Sequence, residues 1–103
     1  MVVIVFRSRL RAGAGTDEGL MADGARMYEL ASAMPGFASY KDFNAEDGEA
    51  VTIVEFDTLE HLAAWRTHPE HKEVQQRGRE RYFSEYHIQV CTTVRDYNFK
   101  RES

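Results

Sequence analysis

The chain opens with Val2-Val3-Ile4-Val5-Phe6, a mostly β-branched run that is apolar on both alternations of an extended backbone. Successive side chains of a strand point to opposite faces, so such a strand needs cover on both sides of its sheet. The run is too short for a signal-peptide core or a membrane span, and it passes directly into Arg7 and Arg9. A chain of 103 residues supports one hydrophobic core rather than two. Whatever covers the second face is therefore a constraint on the whole fold.

The rest of the chain supplies partners for that strand. Gly13 and Gly15 mark a turn, Thr16 or Asp17 can cap a helix, and Leu20, Gly24, Met27, Ala31 and Met34 recur at helical spacing. Pro35-Gly36 stops that helix, because proline cannot continue the ladder and glycine accepts the left-handed closing conformation. Residues 37–44 and 50–56 flank Glu46-Asp47-Gly48, whose Asp-Gly step is a hairpin signal. Asp57 or Thr58 caps the next helix, with Glu60 placed for a capping box and Leu59, Leu62 and Trp65 as apolar anchors. His68-Pro69 breaks it, since the residue before proline is pushed out of the helical region while proline suits the first position of a new helix. That new helix carries His71, Val74, Gly78 and Tyr82 along one stripe, and residues 84–97 alternate as a long final strand.

The order β, α, β, β, α, α, β predicts an α+β, ferredoxin-like βαββαβ domain with an antiparallel sheet and its helices on one face. Residues 1–99 form this single domain and 100–103 a tail. The face away from the helices is then bare, although strand one is apolar on both alternations and strand three offers Val51 and Ile53 against Thr52, Val54 and Phe56. A symmetric homodimer packed sheet face to sheet face supplies the cover, so the expected partner is a second copy.

The formal net charge of -4 argues against non-specific nucleic-acid binding, which draws on phosphate neutralisation by a basic face. Arg77, Arg79 and Arg81 are interrupted by Glu73, Glu80 and Glu85, the pattern of a mixed solvated surface. Nor does strand three offer the stacking rings of an RNA-recognition domain, since Val51 and Ile53 stand where they would be. Cys91 is the only cysteine, so no intrachain disulfide forms and a cytoplasmic location is expected. No membrane partner is expected either.

Chemistry-bearing side chains are densest at Ala64-Trp65-Arg66-Thr67-His68-Pro69-Glu70-His71, the junction of two helices. His68 and His71 can share a helix face, with Glu70 or His61 as further metal ligands, but no cysteine or carboxylate pair completes a set, so no metal is assigned. Either histidine is a candidate acid/base catalyst, and His71 is the better placed because its stripe should face the sheet. The alternative is structural: His68 caps, and His71 is satisfied by a backbone carbonyl. Trp65, Tyr82 and Tyr86, with Tyr40 and Phe83, could form an aromatic recognition surface or simply core. Cys91 has no neighbour in sequence to lower its pKa and reads as an inert strand residue.

Pro35-Gly36-Phe37, Val54-Glu55-Phe56, and Ala64-Trp65-Arg66 leading into His68-Pro69-Glu70-His71 together resemble the antibiotic-biosynthesis monooxygenase family over nearly the whole chain. The resemblance implies a dimeric α+β barrel with a pocket between sheet and helices in each subunit. It further implies a cofactor-independent monooxygenase that oxidises a small phenolic, hydroquinone or polyketide-like aromatic with dioxygen. Trp65, Tyr82 and Tyr86 would then bind substrate, and His71 or His68 would move protons. The haem-degrading branch of the family is a weaker match, with Ser8 where that branch has asparagine and Gln75 near the position of its iron-ligating histidine. A dimeric ligand-binding or structural domain without chemistry is the remaining alternative, since a fold of this kind does not fix a function.

Overall fold

The computed structural model describes residues 1–102. Strand β1 spans Val2–Leu10, helix α1 Glu18–Ser32, β2 Phe37–Asn44, β3 Ala50–Phe56, α2 Leu59–Arg66, α3 Pro69–Arg77 and β4 Phe83–Thr92. A 3-10 turn at Ala14–Thr16 precedes α1, and a π-helical turn at Gly78–Tyr82 joins α3 to β4. The sheet order is β2-β3-β1-β4, with every neighbouring pair antiparallel. This is the ferredoxin-like arrangement expected from the element order.

Local chemistry sets the boundaries. Asp17 caps α1, its carboxylate accepting from the Gly19 N–H at 2.8 Å, and Thr58 caps α2 by accepting from the His61 N–H. His68 caps α3 through its imidazole, which accepts from the Glu70 N–H at 3.1 Å, and Pro69 occupies the first turn. Gly36 closes the α1–β2 connection at φ 80°, and a Cβ there would overlap Asp57 Oδ1 and His61 Nδ1. Only glycine lets that turn sit beneath the Asp57–His61 pair.

Two details depart from the sequence reading. The stripe of α1 that meets the rest of the molecule runs through Asp23, Met27, Leu30 and Ala31, whereas Gly24 is exposed with open space around it. Residue 23 lies four before Met27 and therefore one turn below it on the same face. Strand β4 ends at Thr92 rather than near residue 97: Thr92 pairs with Val2, and the Thr93 N–H makes a last bond to the Met1 carbonyl.

The core lies between the sheet and α1–α2, built from Val2, Ile4, Met27, Leu30, Ala31, Val54, Phe56, Leu62 and Trp65. Residues paired directly across an antiparallel ladder share a face. Val3 and Val5 therefore join Val51, Ile53, Phe43 and Cys91 on the face turned away from the helices. At one end of that face the apolar side chains give way to ion pairs. Arg7 binds Glu49 through two nitrogens at 3.0 and 2.9 Å, and Arg9 reaches Asp47 at 2.8 Å and Glu85 at 3.4 Å. The two-sided apolar character of β1 is thus confined to its first half.

Candidate active site

The junction of α2 and α3 folds back on itself, and this creates the most organised aromatic group in the molecule. Trp65 comes from the last turn of α2 and is 5 % exposed. The break at His68-Pro69 turns α3 so that His71 lies against the Trp65 indole, with ring centres 4.2 Å apart and planes 15° from parallel. On its other side Trp65 stacks on Phe56 of β3 at 5.8 Å, and Tyr40 of β2 meets its edge at 6.4 Å. Sheet and helices are joined here through Phe56, Trp65 and His71.

The polar atoms of this group are unevenly satisfied. His71 Nδ1 lies 3.2 Å from the Trp65 carbonyl oxygen. A carbonyl only accepts, so Nδ1 carries the hydrogen and donates it, which leaves Nε2 with the free lone pair of a base. Burial pushes the His71 pKa below its ordinary value, and the backbone carbonyl opposes this only in part. The neutral ring is therefore the form favoured at neutral pH. Burial also pushes the Tyr40 phenol up to about 12. The Trp65 indole N–H is the one side-chain polar atom among the described residues that is fully buried without a hydrogen-bond partner. Such a donor costs about 1–3 kcal/mol when left unpaired.

The other residues singled out in the sequence lie elsewhere. His68 is held by its capping bond, three residues from His71 but in a different role. Tyr82, 2 % exposed, belongs to a polar knot at the opposite end of α3. Its hydroxyl donates to Asp23 Oδ2 at 2.7 Å, and Arg77 grips both Asp23 oxygens at 2.8 and 2.9 Å. Arg77 is the main cause of an Asp23 pKa below the usual carboxylate range, while burial and Asp23 raise that of Tyr82. Alongside, Arg81 binds both oxygens of Asp17, the α1 cap. Asp23 was not anticipated as part of any site; its spacing four before Met27 was the available signal. Tyr86, on β4, packs against Phe6 and Phe83, and its hydroxyl accepts from Arg79.

Tyr86 also lines a concavity with Arg7, Ser8, Glu49, Glu85 and His87, and a second concavity is lined by residues of the 11–17 turn with Glu80 and Arg81. Trp65 and His71 border neither of these; His71, half-buried, meets solvent by itself. Among the described residues no three of His, Cys, Asp and Glu converge as a metal would require, and no helix is long and apolar enough to cross a membrane.

Residues 1–77 match the family described as antibiotic biosynthesis monooxygenase. The uncharacterized protein YqjZ of Bacillus subtilis is 28% identical over 87 residues, which is 84% of this chain and 76% of that protein. Rv0793 of Mycobacterium tuberculosis superposes with a TM-score of 0.80 at 20% identity, covering 94% of this chain and 98% of that one. SnoaB of Streptomyces nogalater, a cofactor-independent oxygenase, superposes with a TM-score of 0.75 at 15% identity, covering 92% and 94%.

Proposed function

We propose, from the premise that this chain belongs to the antibiotic biosynthesis monooxygenase family, that it is a cofactor-independent monooxygenase acting on a small phenolic, hydroquinone or polyketide-like aromatic. The observation that carries this reading is the Trp65–His71 stack, in which a half-buried histidine has one nitrogen committed to a carbonyl and the other free to accept a proton. The substrate hydroxyl would meet His71 Nε2, and the Trp65 indole, stacked on the imidazole, would hold that ring in place. The remaining candidates stand apart from this stack: Tyr86 lines a separate concavity, Tyr82 is bonded to Asp23 at the other end of α3, and His68 caps α3.

The chemistry needs no group beyond substrate and dioxygen. His71 takes the hydroxyl proton, and the resulting phenolate passes one electron to dioxygen. The aryloxyl radical and superoxide combine at a ring carbon to give a peroxide. His71 returns its proton to the peroxide, and removal of the ring C–H proton as the O–O bond breaks expels hydroxide, which takes up that proton as water; a carbonyl is left at that carbon, so one oxygen atom of dioxygen enters the product and the other leaves as water. A positioned base contributes about 10²–10⁴-fold to such a proton transfer, and shielding from bulk water protects the radical pair. A homodimer joined through the open sheet face, where Val3, Val5, Val51 and Ile53 are half-buried and Phe43 is 45% exposed, is part of the same reading.

The test is oxygen uptake and product analysis with a panel of naphthols, anthrones and quinols under labelled dioxygen. One labelled oxygen per product molecule is expected, with turnover reduced about 10²-fold or more in His71→Gln, the scale of a lost general base. Uniform inactivity of well-folded protein across the panel would favour the alternative, a dimeric ligand-binding domain without chemistry.

A further inference from the structure

The chain has one tryptophan and five tyrosines, and two of the tyrosines stand in line with the tryptophan. The ring centres of Trp65 and Tyr40 are 6.4 Å apart and those of Tyr40 and Tyr28 5.5 Å, both pairs edge to face. Three separate elements meet to make this line, since Trp65 comes from α2, Tyr40 from β2 and Tyr28 from α1. Burial falls along it: Trp65 is 5% exposed, Tyr40 half-buried and Tyr28 50% exposed. The inner end lies against the His71 ring, 4.2 Å from the indole. The outer end is in solvent.

The surrounding rings leave this line without a branch. Among the described residues the other ring against Trp65, besides Tyr40 and His71, is Phe56, and the other ring against Tyr28 is Phe37. A phenyl ring or a neutral imidazole gives up an electron far less readily than an indole or a phenol, so an electron deficit on Trp65 has one exit, Tyr40. Tyr82 and Tyr86 belong to a separate group around Phe83. Proton positions favour the same direction. The Trp65 N–H is sealed from any acceptor, so an oxidised indole keeps its proton and remains the radical cation, its more strongly oxidising form. Burial, with the charge of Asp42 behind it, pushes the Tyr40 phenol up to about 12, so Tyr40 rests as the neutral phenol. Its hydroxyl is not sealed off as the indole N–H is, and water takes the proton that oxidation expels.

We propose that Trp65, Tyr40 and Tyr28 form an electron path that supplies reducing equivalents to the site when its peroxide chemistry misfires. The inference rests on the monooxygenase reading above and adds a protective function to it. Homolysis of the O–O bond of the ring-bound peroxide gives an alkoxyl radical and a hydroxyl radical in place of the carbonyl and water. Each radical gains one electron from Trp65, across the stacked imidazole, and one proton from water, and they become the ring alcohol and water. Tyr40 restores each electron to Trp65 and loses a proton to solvent, and Tyr28 then gives Tyr40 a hydrogen atom. At the surface a soluble thiol returns a hydrogen atom to Tyr28, and two thiols end as one disulfide. Peroxide and two thiols thus become alcohol, water and disulfide, and the indole is spared attack by the intermediates it adjoins.

The path is tested without substrate or dioxygen by flash photoionisation of the full chain, exciting at the red edge where only the single tryptophan absorbs. In the parent the green absorbance of the indolyl radical should decay as the violet absorbance of a tyrosyl radical grows, at a rate independent of protein concentration. Tyr40→Phe keeps the ring on Trp65 and removes only the hydroxyl; it should lose the tyrosyl signal. Tyr28→Phe should keep the signal but lose its rapid quenching by glutathione, and Tyr97→Phe should behave as the parent. A tyrosyl signal unchanged by Tyr40→Phe, or one that grows in proportion to protein concentration, overturns the path. During turnover of an accepted naphthol or anthrone, mass spectrometry should find oxygenated Trp65 accumulating in Tyr40→Phe and Tyr28→Phe but not in the parent, and equal accumulation in all three overturns the protective role. Inactivity across the oxygen-uptake panel, with transfer intact in the flash experiment, would instead fault the assigned chemistry and uphold the path.

Discussion

His71 is held between a carbonyl that favours its charged form and a buried setting that opposes it, and burial is the stronger influence. Its folded pKa thus lies below the ordinary value of 6.5, so between the two values the unfolded chain binds more protons than the folded one. Stability from this group then rises with pH across that window and is constant above it. As pH falls below 6.5 the native state loses ground, until the folded value is passed. Replacing His71 with glutamine should flatten this acid slope in a series of urea titrations. The same substitution should abolish the acid limb of the rate profile, because a protonated His71 offers no lone pair to a substrate hydroxyl. An unchanged slope would mean that the ring is not shielded from water as the stack with Trp65 implies.

At the scale of elements, the π-helical turn at Gly78–Tyr82 is fastened to α1 by Asp23, Arg77 and Tyr82. Gly19 makes room for this, since a Cβ there would stand 2.8 Å from the Tyr82 hydroxyl. Tyr82→Phe removes one buried hydrogen bond and should cost about 1 kcal/mol. Asp23→Ala leaves the tyrosine hydroxyl without its acceptor and Arg77 without its partner, and should cost more, about 1–3 kcal/mol. Because both changes break the same bond, the double variant should be little worse than Asp23→Ala alone, and a thermodynamic cycle from urea unfolding measures that coupling. Strict additivity would show that the knot is not one unit. The Asp23 carboxylate is held below its usual pKa, so its contribution is present above the unfolded value of 3.8 and is lost as pH falls through the folded one.

For the whole molecule, the deciding feature is the open sheet face, apolar along Val3, Val5, Val51 and Ile53 and ionic at Arg7, Arg9, Glu49 and Glu85. Ile53 lies opposite both Val5 and Lys41, near the middle of the sheet. Ile53→Glu places a charge in the centre of the proposed interface without touching the helix-side core. It should give a folded monomer by sedimentation, with the native circular dichroism spectrum. Cys91 shares this face; its alkylation should be slow in the parent at micromolar concentration and fast in the variant. Equal reactivity in both would leave the face without a partner.

Element order, cap positions and the hairpin were legible in the sequence, because each depends on a few adjacent residues: Asp17 and Thr58 as caps, Pro35-Gly36 as a stop, Asp47-Gly48 as a turn. The two-sided apolar run in β1 likewise announced a face in need of cover. What tertiary structure alone decided is which distant side chains meet. Tyr82 and His71 share a stripe in the sequence pattern, yet the break at Gly78 into a π turn sends Tyr82 to Asp23, while the fold at Pro69 lays His71 on Trp65. The end of β4 at Thr92 was also invisible locally, since it is set by pairing with the distant β1 and not by the composition of residues 93–97. Periodicity reports the face a residue presents. A hydrogen-bond partner or a stacking ring, separated by tens of residues, is fixed only when the chain has closed around both.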